Sequence, residues 1–222
     1  IANECTTSAR QLIIHEVMGR NCGWLTARTA FEYRKRLENR KFLPELLVSK
    51  ERWDIDAVYI PELTINMSKE VLRLRKLMDE NDCVNIFLSE GAGIDSIIKE
   101  IENEGKKVKR DAFGHVRLDE INPGQWFANK FSKEVGAEKV LVQKSGYFAR
   151  SASSNQDDMD LITRTTKLAV QMAVSNKSGV IGLDEDNFDR LSCIDFERIK
   201  GGKPFDYNQD WFTEMLEKIG QK

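Results

Sequence analysis

Three short stretches of this chain set glycine beside a side chain that can hold an anion or a hydroxyl group. They are Met18-Gly19-Arg20-Asn21-Cys22-Gly23-Trp24, Ser89-Glu90-Gly91-Ala92-Gly93 and Lys144-Ser145-Gly146-Tyr147-Phe148-Ala149-Arg150. Each follows an apolar run that reads as a strand. Ligands of open α/β sheets bind beyond the carboxyl ends of strands, so these stretches lie where such groups could meet. Glycine permits close backbone approach and positive φ. An arginine at a helix start can grip a phosphate in a two-pronged fork, helped by the helix N-terminus. A glutamate accepts hydrogen bonds from hydroxyls. Any one of these stretches alone reads more simply as a strand-end turn. Together they suit an anionic, polyhydroxylated ligand.

The elements that must position them follow from apolar spacing. Leu12 to Met18, Ala57 to Ile60, Val84 to Leu88, Val140 to Val142 and Val180 to Leu183 read as strands. Helical spacing marks Trp24 to Leu37, a segment capped by Ser68 with Val71, Leu74, Leu77 and Met78 on one face, and a third around Ile97, Ile98 and Ile101. Further helices run from Pro123 to Val135, from a cap at Asp157 through Met172, and from Asp210 to Ile219. Asn39 to Arg52, which contains Pro44, reads as an excursion. Strand alternating with helix predicts an α/β fold, with parallel sheets and helices on both faces.

Composition excludes several classes. The 222 residues suffice for one large α/β domain or two small ones, and 41% hydrophobic with 32% charged residues is a globular mixture, not a disordered one. A net charge of −2 argues against a nucleic-acid binder or a polybasic membrane protein. No apolar run approaches the ~20 residues that span a bilayer. Cys5, Cys22, Cys83 and Cys193 form no C-x-x-C pair and read as reduced thiols of a cytoplasmic protein. With only His15 and His115 available, zinc is not expected. Asp184-Glu185-Asp186 reads as an acidic turn, since Mg²⁺ usually takes one or two carboxylates plus substrate phosphates. The chain opens at Ile1 without a signal peptide, which reads as the interior of a longer protein.

Glu16-Val17-Met18-Gly19-Arg20-Asn21-Cys22-Gly23 resembles the E-V-M-G-R-x-C/A-G signature of phosphofructokinases. Ser89-Glu90-Gly91 is similar to the family's S/A/T-E-G segment. Tyr147-Phe148-Ala149-Arg150-Ser151 looks like the Y-x-x-R-S motif of the pyrophosphate-dependent branch. The three occur in the family's order and cover the chain nearly end to end. The resemblance implies that Met18, Gly19 and Arg20 contact fructose 6-phosphate, that Glu90 binds sugar hydroxyls, and that Tyr147 and Arg150 hold the sugar phosphate. Phe113-Gly114-His115 matches a further family segment and adds His115 as a weaker candidate. The residues after His115 depart from the Q-R-G-G of ATP-dependent bacterial enzymes, which favours the pyrophosphate branch. The family also uses basic residues of a neighbouring subunit; Lys109 and Arg110 are candidates for one, and the other falls near Arg10. A solvated basic loop explains Lys106 to Arg110 equally well.

The family's G-G-D-D/G donor loop and its T-I-D-N-D catalytic segment do not occur in this chain, where Gly201-Gly202 is followed by Lys203-Pro204. In the family both precede the E-V-M-G-R strand. The resemblance therefore implies a fragment whose N-terminal donor-site half is missing, with no catalytic residue and no turnover of its own. It implies a sugar-phosphate lobe over 1–114, a return to the donor lobe over 115–200 and a C-terminal helix over 201–222 closing on the first lobe. Expected with these are a glycolytic transfer from pyrophosphate to fructose 6-phosphate, Mg²⁺ held mainly by the missing half and the donor phosphates, and a homo-oligomer with sites near a subunit interface. No nucleic acid and no membrane is expected. The alternatives are an ATP-dependent 6-phosphofructokinase and a non-catalytic regulatory subunit that binds sugar phosphate.

Overall fold

Four of the apolar runs become adjacent parallel strands. In the computed structural model, which describes residues 9–46, 48–112, 114, 116–199 and 203–222, these are β1 (Gln11–Val17), β2 (Ala57–Tyr59), β3 (Cys83–Ser89) and β4 (Lys139–Lys144). Their order is β2-β3-β1-β4, every pairing parallel. β1 and β3 are covered on both faces, as expected of near-continuous apolar strands in a parallel sheet. The helices are α1 (Trp24–Glu38), α2 (Met67–Asn81), α3 (Ile94–Asn103), α4 (Leu118–Ile121), α5 (Pro123–Val135), α6 (Gly146–Ser151), α7 (Gln156–Val174) and α8 (Asp210–Lys218). Two more strands, β5 (Val180–Asp184) and β6 (Arg190–Ile194), pair antiparallel.

The two faces of the parallel sheet carry separate cores. Leu12, Ile14, Ile86 and Leu88 pack with Leu74 and Met78 of α2, Ile97 of α3, and Phe127 and Phe131 of α5. The rings of Tyr59, Phe127 and Phe131 stack at 5.7–6.1 Å between centroids. On the other face Val17, Val58 and Phe87 meet Ala27 and Ala30 of α1 and Phe212, Met215 and Leu216 of α8. Helices thus lie on both faces, as the spacing predicts.

Helix starts differ in detail from the expectation. Asn66, not Ser68, caps α2 by accepting from the Lys69 N–H. Asn155, not Asp157, caps α7 in a reciprocal box with Asp158. α5 begins at Pro123 and ends before the left-handed Gly136, as expected.

The chain divides into two compact units, Ile1–Tyr147 with Pro204–Lys222, and Phe148–Lys203. Residues 115–147 lie in the first unit, whose boundary falls after Tyr147. The reason is that β4 pairs with β1 from Gln11 to Glu16, and α5 supplies Phe127 and Phe131 to the first core. The last segment also belongs to the first unit. The Gln221 side chain accepts from the Val58 N–H at 2.8 Å and donates to the Val58 carbonyl at 3.0 Å, which covers the open edge of β2. Arg73 donates to the Ile219 carbonyl at 3.2 Å and grips Glu70 with two N–H groups. The second unit combines α7 with the β5–β6 hairpin. No residue of α7 is buried, and Met159, Ile162, Val170 and Val174 are exposed. β6 has no counterpart among the strands expected from sequence, because Arg190-Leu191-Ser192-Cys193-Ile194 has too short an apolar run to stand out.

His15 lies in the middle of β1, its ring 5.0 Å from that of Phe87, and its Nε2 is buried without a partner. Burial lowers its pKa from 6.5 to about 4. An unfolded chain therefore takes up a proton below pH 6.5 that the folded chain refuses until about pH 4. Stability should fall as pH drops through that window, by at most about 3.4 kcal/mol at 1.36 kcal/mol per unit. Denaturant midpoints measured against pH for the native chain and His15→Leu test this: the substitution should flatten the profile, and identical profiles would exclude a neutral buried imidazole.

Candidate functional site

Val17 stands opposite Ser89, and Glu16 opposite Lys144, so the segments after β1, β3 and β4 leave the sheet at one level. They are tied to one another there. The Glu90 N–H donates to the Val17 carbonyl at 3.0 Å, and the Gly19 N–H donates to Glu90 Oε1 at 3.3 Å. The Ser89 hydroxyl donates to the Gly19 carbonyl. The Ser145 N–H and hydroxyl both donate to the Glu16 carbonyl, at 2.9 and 3.1 Å.

Two glycines are fixed by this geometry for different reasons. Gly19 has φ 147°, a conformation other residues rarely adopt. Gly91 is required by proximity: a Cβ there would stand 1.8 Å from the Arg20 carbonyl oxygen. Met18 reaches the third segment, its Cγ lying 3.2 Å from where a Gly146 Cβ would be. Met18, Gly19, Arg20, Glu90 and the start of α6, where Tyr147 is 84% exposed, therefore form one neighbourhood.

A cleft of about 730 Å³ opens beside it, bordered by Arg20, Glu62, Gly91, Lys99, Arg110 and Trp126. Arg20 and Arg110 thus share a cavity, and Glu90 is tied to the Arg20 wall through Gly19. Lys109 is not among these residues. It pairs with Glu120 at 3.2 Å and lines a separate groove of about 370 Å³ with Lys106 and Lys107. Lys106 pairs with Glu104, so with the Lys109–Glu120 pair the basic loop is partly neutralised within the chain, while Arg110 donates to the neutral Gly114 carbonyl. Arg10 pairs with Asp79 next to the amino end of β1, the opposite end of that strand from Arg20. Arg150 lies on the last turn of α6 and belongs to the second unit. His115 lies outside the described residues.

Two carboxylates near these segments escaped the sequence reading. Glu16 is buried, and its Oε2 accepts from the Gly124 N–H at 2.7 Å, at the first turn of α5. Its other oxygen lies 3.4 Å from Lys144 Nζ. Glu62 accepts from the Gly23 N–H, at 3.0 and 3.1 Å to its two oxygens, and from the Phe205 N–H at 2.8 Å. A signal for Glu62 was present. It follows Pro61 just beyond a strand, where the rule that locates ligand sites also applies.

Among the described residues no three His, Cys, Asp or Glu side chains come together to hold a metal ion. The acidic turn is engaged by cations: Arg198 grips Asp184 with two N–H groups and pairs with Asp186, and Lys203 pairs with Glu185. Arg198 holds the Asp184 carboxyl below its ordinary pKa.

Residues 2–173 match the family model described as phosphofructokinase. The chain belongs to the phosphofructokinase family. Within the family it is 55% identical over 221 residues to a pyrophosphate–fructose 6-phosphate 1-phosphotransferase of Methylomonas methanica and 53% identical to that of Methylotuvimicrobium alcaliphilum. The protein of the same name from Mastigamoeba balamuthi is 52% identical. Each alignment takes in 100% of this chain and 54% of the relative, so the chain spans about half the length of the curated relatives it matches. Two solved pyrophosphate-dependent phosphofructokinases share the fold. That of Nitrosospira multiformis superposes with a TM-score of 0.56 at 16% identity, over 99% of this chain and 49% of that one. That of Marinobacter aquaeolei gives 0.54 at 20% identity, with the same coverage.

The close approach of Gly91 to Arg20 yields a test. Gly91→Ala must push two backbones apart and should cost about 2–4 kcal/mol, near the upper end for single substitutions. Gly182→Ala, whose Cβ would meet nothing nearer than 3.7 Å, should be nearly neutral. Equal melting temperatures for the two variants would show that the loops do not meet as described.

Proposed function

We propose that this chain is the sugar-phosphate-binding part of an enzyme that moves a phosphoryl group from pyrophosphate to the 1-hydroxyl of fructose 6-phosphate. The observation that carries the reading is the emergence of the Arg20, Glu90 and Tyr147 segments at the carboxyl ends of three neighbouring strands in one register. Identities of 51–55% to four relatives named for that reaction support it, and favour pyrophosphate over ATP as the donor. In this reading Arg20 and Tyr147, with Arg150, hold the negative charge and phosphate of the sugar. Glu90 accepts hydrogen bonds from its hydroxyls, and the backbone at Met18 and Gly19 closes on the ring.

The work of these residues is positioning. Holding the sugar in one orientation removes translational and rotational freedom before phosphoryl transfer begins. The transfer itself needs a base for the hydroxyl proton and positive charge around the moving phosphoryl. Neither is assigned to residues described here. Mg²⁺ belongs to the same proposal, with ligands from the donor phosphates and from protein outside these residues. So do a cytoplasmic location, a role in glycolysis, and a homo-oligomer in which Lys109 or Arg110 serves a neighbouring subunit. No helix among the described residues is long and apolar enough to cross a membrane.

Calorimetric titration with fructose 6-phosphate tests the binding role. Arg20 is exposed, so Arg20→Ala should leave the melting temperature almost unchanged and raise Kd about 10- to 100-fold, as for loss of a hydrogen bond to a charged group. Undiminished affinity in Arg20→Ala would remove that residue from the site. A coupled assay tests the division of labour. The chain alone should form no fructose 1,6-bisphosphate from pyrophosphate, and robust formation would mean that the catalytic groups are present after all.

A further inference from the structure

Glu62 joins two parts of the molecule that are far apart in sequence. Its Oε1 accepts from both the Gly23 N–H and the Phe205 N–H, and its Oε2 shares the Gly23 N–H. Gly23 is the N-cap of α1, a helix whose cap has no side-chain hydrogen bond and whose first turn holds no acidic residue. Glu62 therefore supplies from outside the negative charge and acceptor that a helix start requires. Gly23 has no room for a side chain: a Cβ would lie 2.4 Å from Ile60 Cβ and 2.7 Å from Glu62 Oε2. Phe205 anchors the C-terminal segment in an aromatic cluster with Trp211 and Phe212, and Trp211 meets Phe31 of α1 at 5.2 Å.

Arg20 sits three residues before Gly23. The segment between them is held at its front by the Gly19 N–H on Glu90 and by the Arg20 carbonyl against Gly91. At its rear it is held by Glu62. Arg20 itself is exposed on the cleft that Glu62 also borders. We infer that Glu62 is a positioning residue that locks the Arg20 segment to the C-terminal segment, so that the order of residues 204–222 sets the affinity of the sugar-phosphate site. The link to affinity rests on the functional reading above.

The chemistry of Glu62 fits this role better than that of a ligand contact. A free carboxylate in the cleft would repel a phosphate. Spending both oxygens on backbone N–H groups at a helix start offsets that charge where it stands. A segment fixed at both ends also loses less freedom when it closes on a ligand, which raises affinity without adding a contact.

Glu62→Gln tests the inference. The amide oxygen can keep the Gly23 and Phe205 N–H groups that share Oε1, but the charge at the helix start is lost and an NH₂ group replaces Oε2 against the Gly23 N–H. Kd for fructose 6-phosphate should rise about tenfold. Amide hydrogen exchange at residues 19–23 and at Phe205 should quicken together. Phe205→Leu, which keeps the N–H but weakens the aromatic anchor, should move the same amides and Kd in the same direction and serves if Glu62→Gln does not fold. Exchange that quickens only at Phe205, or an unchanged Kd while residues 19–23 loosen, would overturn the inference. Should the native chain bind no fructose 6-phosphate, the functional reading fails separately. Exchange alone then judges the lock: joint loosening of 19–23 and 205 supports it, and independent behaviour refutes it.

Discussion

Val17 lies against Ser89 and Glu16 against Lys144, and the site depends on that shared register of β1 with its two neighbours. In a parallel sheet, sliding one strand by a residue turns every side chain to the opposite face. Here the two faces are not interchangeable. Leu12 and Ile14 fit beneath the stacked rings of Tyr59, Phe127 and Phe131, whereas Val17 faces the closely packed Ala27 and Ala30 of α1. A slip of β1 would set both cores wrong at once. The apolar packing therefore decides the level at which Gly19, Glu90 and Gly146 emerge, and the polar site inherits its geometry from the cores.

Above that level, glutamates do the joining. Glu16 receives the Gly124 N–H, Glu62 the Gly23 N–H and Glu90 the Gly19 N–H. In each pair the donor is a glycine. For two of them the absent side chain is what admits the carboxylate, since a Cβ at Gly124 or Gly23 would lie 2.6 or 2.7 Å from a carboxylate oxygen. Two of the glutamates serve helix starts, at α5 and α1, where unpaired N–H groups and the helix dipole favour negative charge. This leaves Arg20, Lys99 and Arg110 facing the cleft as its cations.

Much of this was legible in the amino-acid order, and the parts that were not share a cause. β1, β3, α1 and α5 follow from apolar period and Pro123, because burial on both faces leaves a strong one-dimensional signal. The three strand-end segments were legible for the same reason. Glu62 and Glu16 were not, because their partners lie 39 and 108 residues away and no local pattern encodes such a contact. Lys109 and Arg110 are adjacent in sequence yet face different cavities, which residue type alone could not distinguish. β6 was missed because the second unit has little buried surface to impose a pattern. Asp184 is its one buried residue among those described.

The central claim is that the segments after β1, β3 and β4 make one sugar-phosphate site. The most direct measurement is a crystal structure of the chain with fructose 6-phosphate at saturating concentration. Density for the sugar phosphate within hydrogen-bonding reach of Arg20 and Glu90, beside the start of α6, is the expected result. Ligand density confined to another surface, with the Arg20 cleft empty, would contradict it.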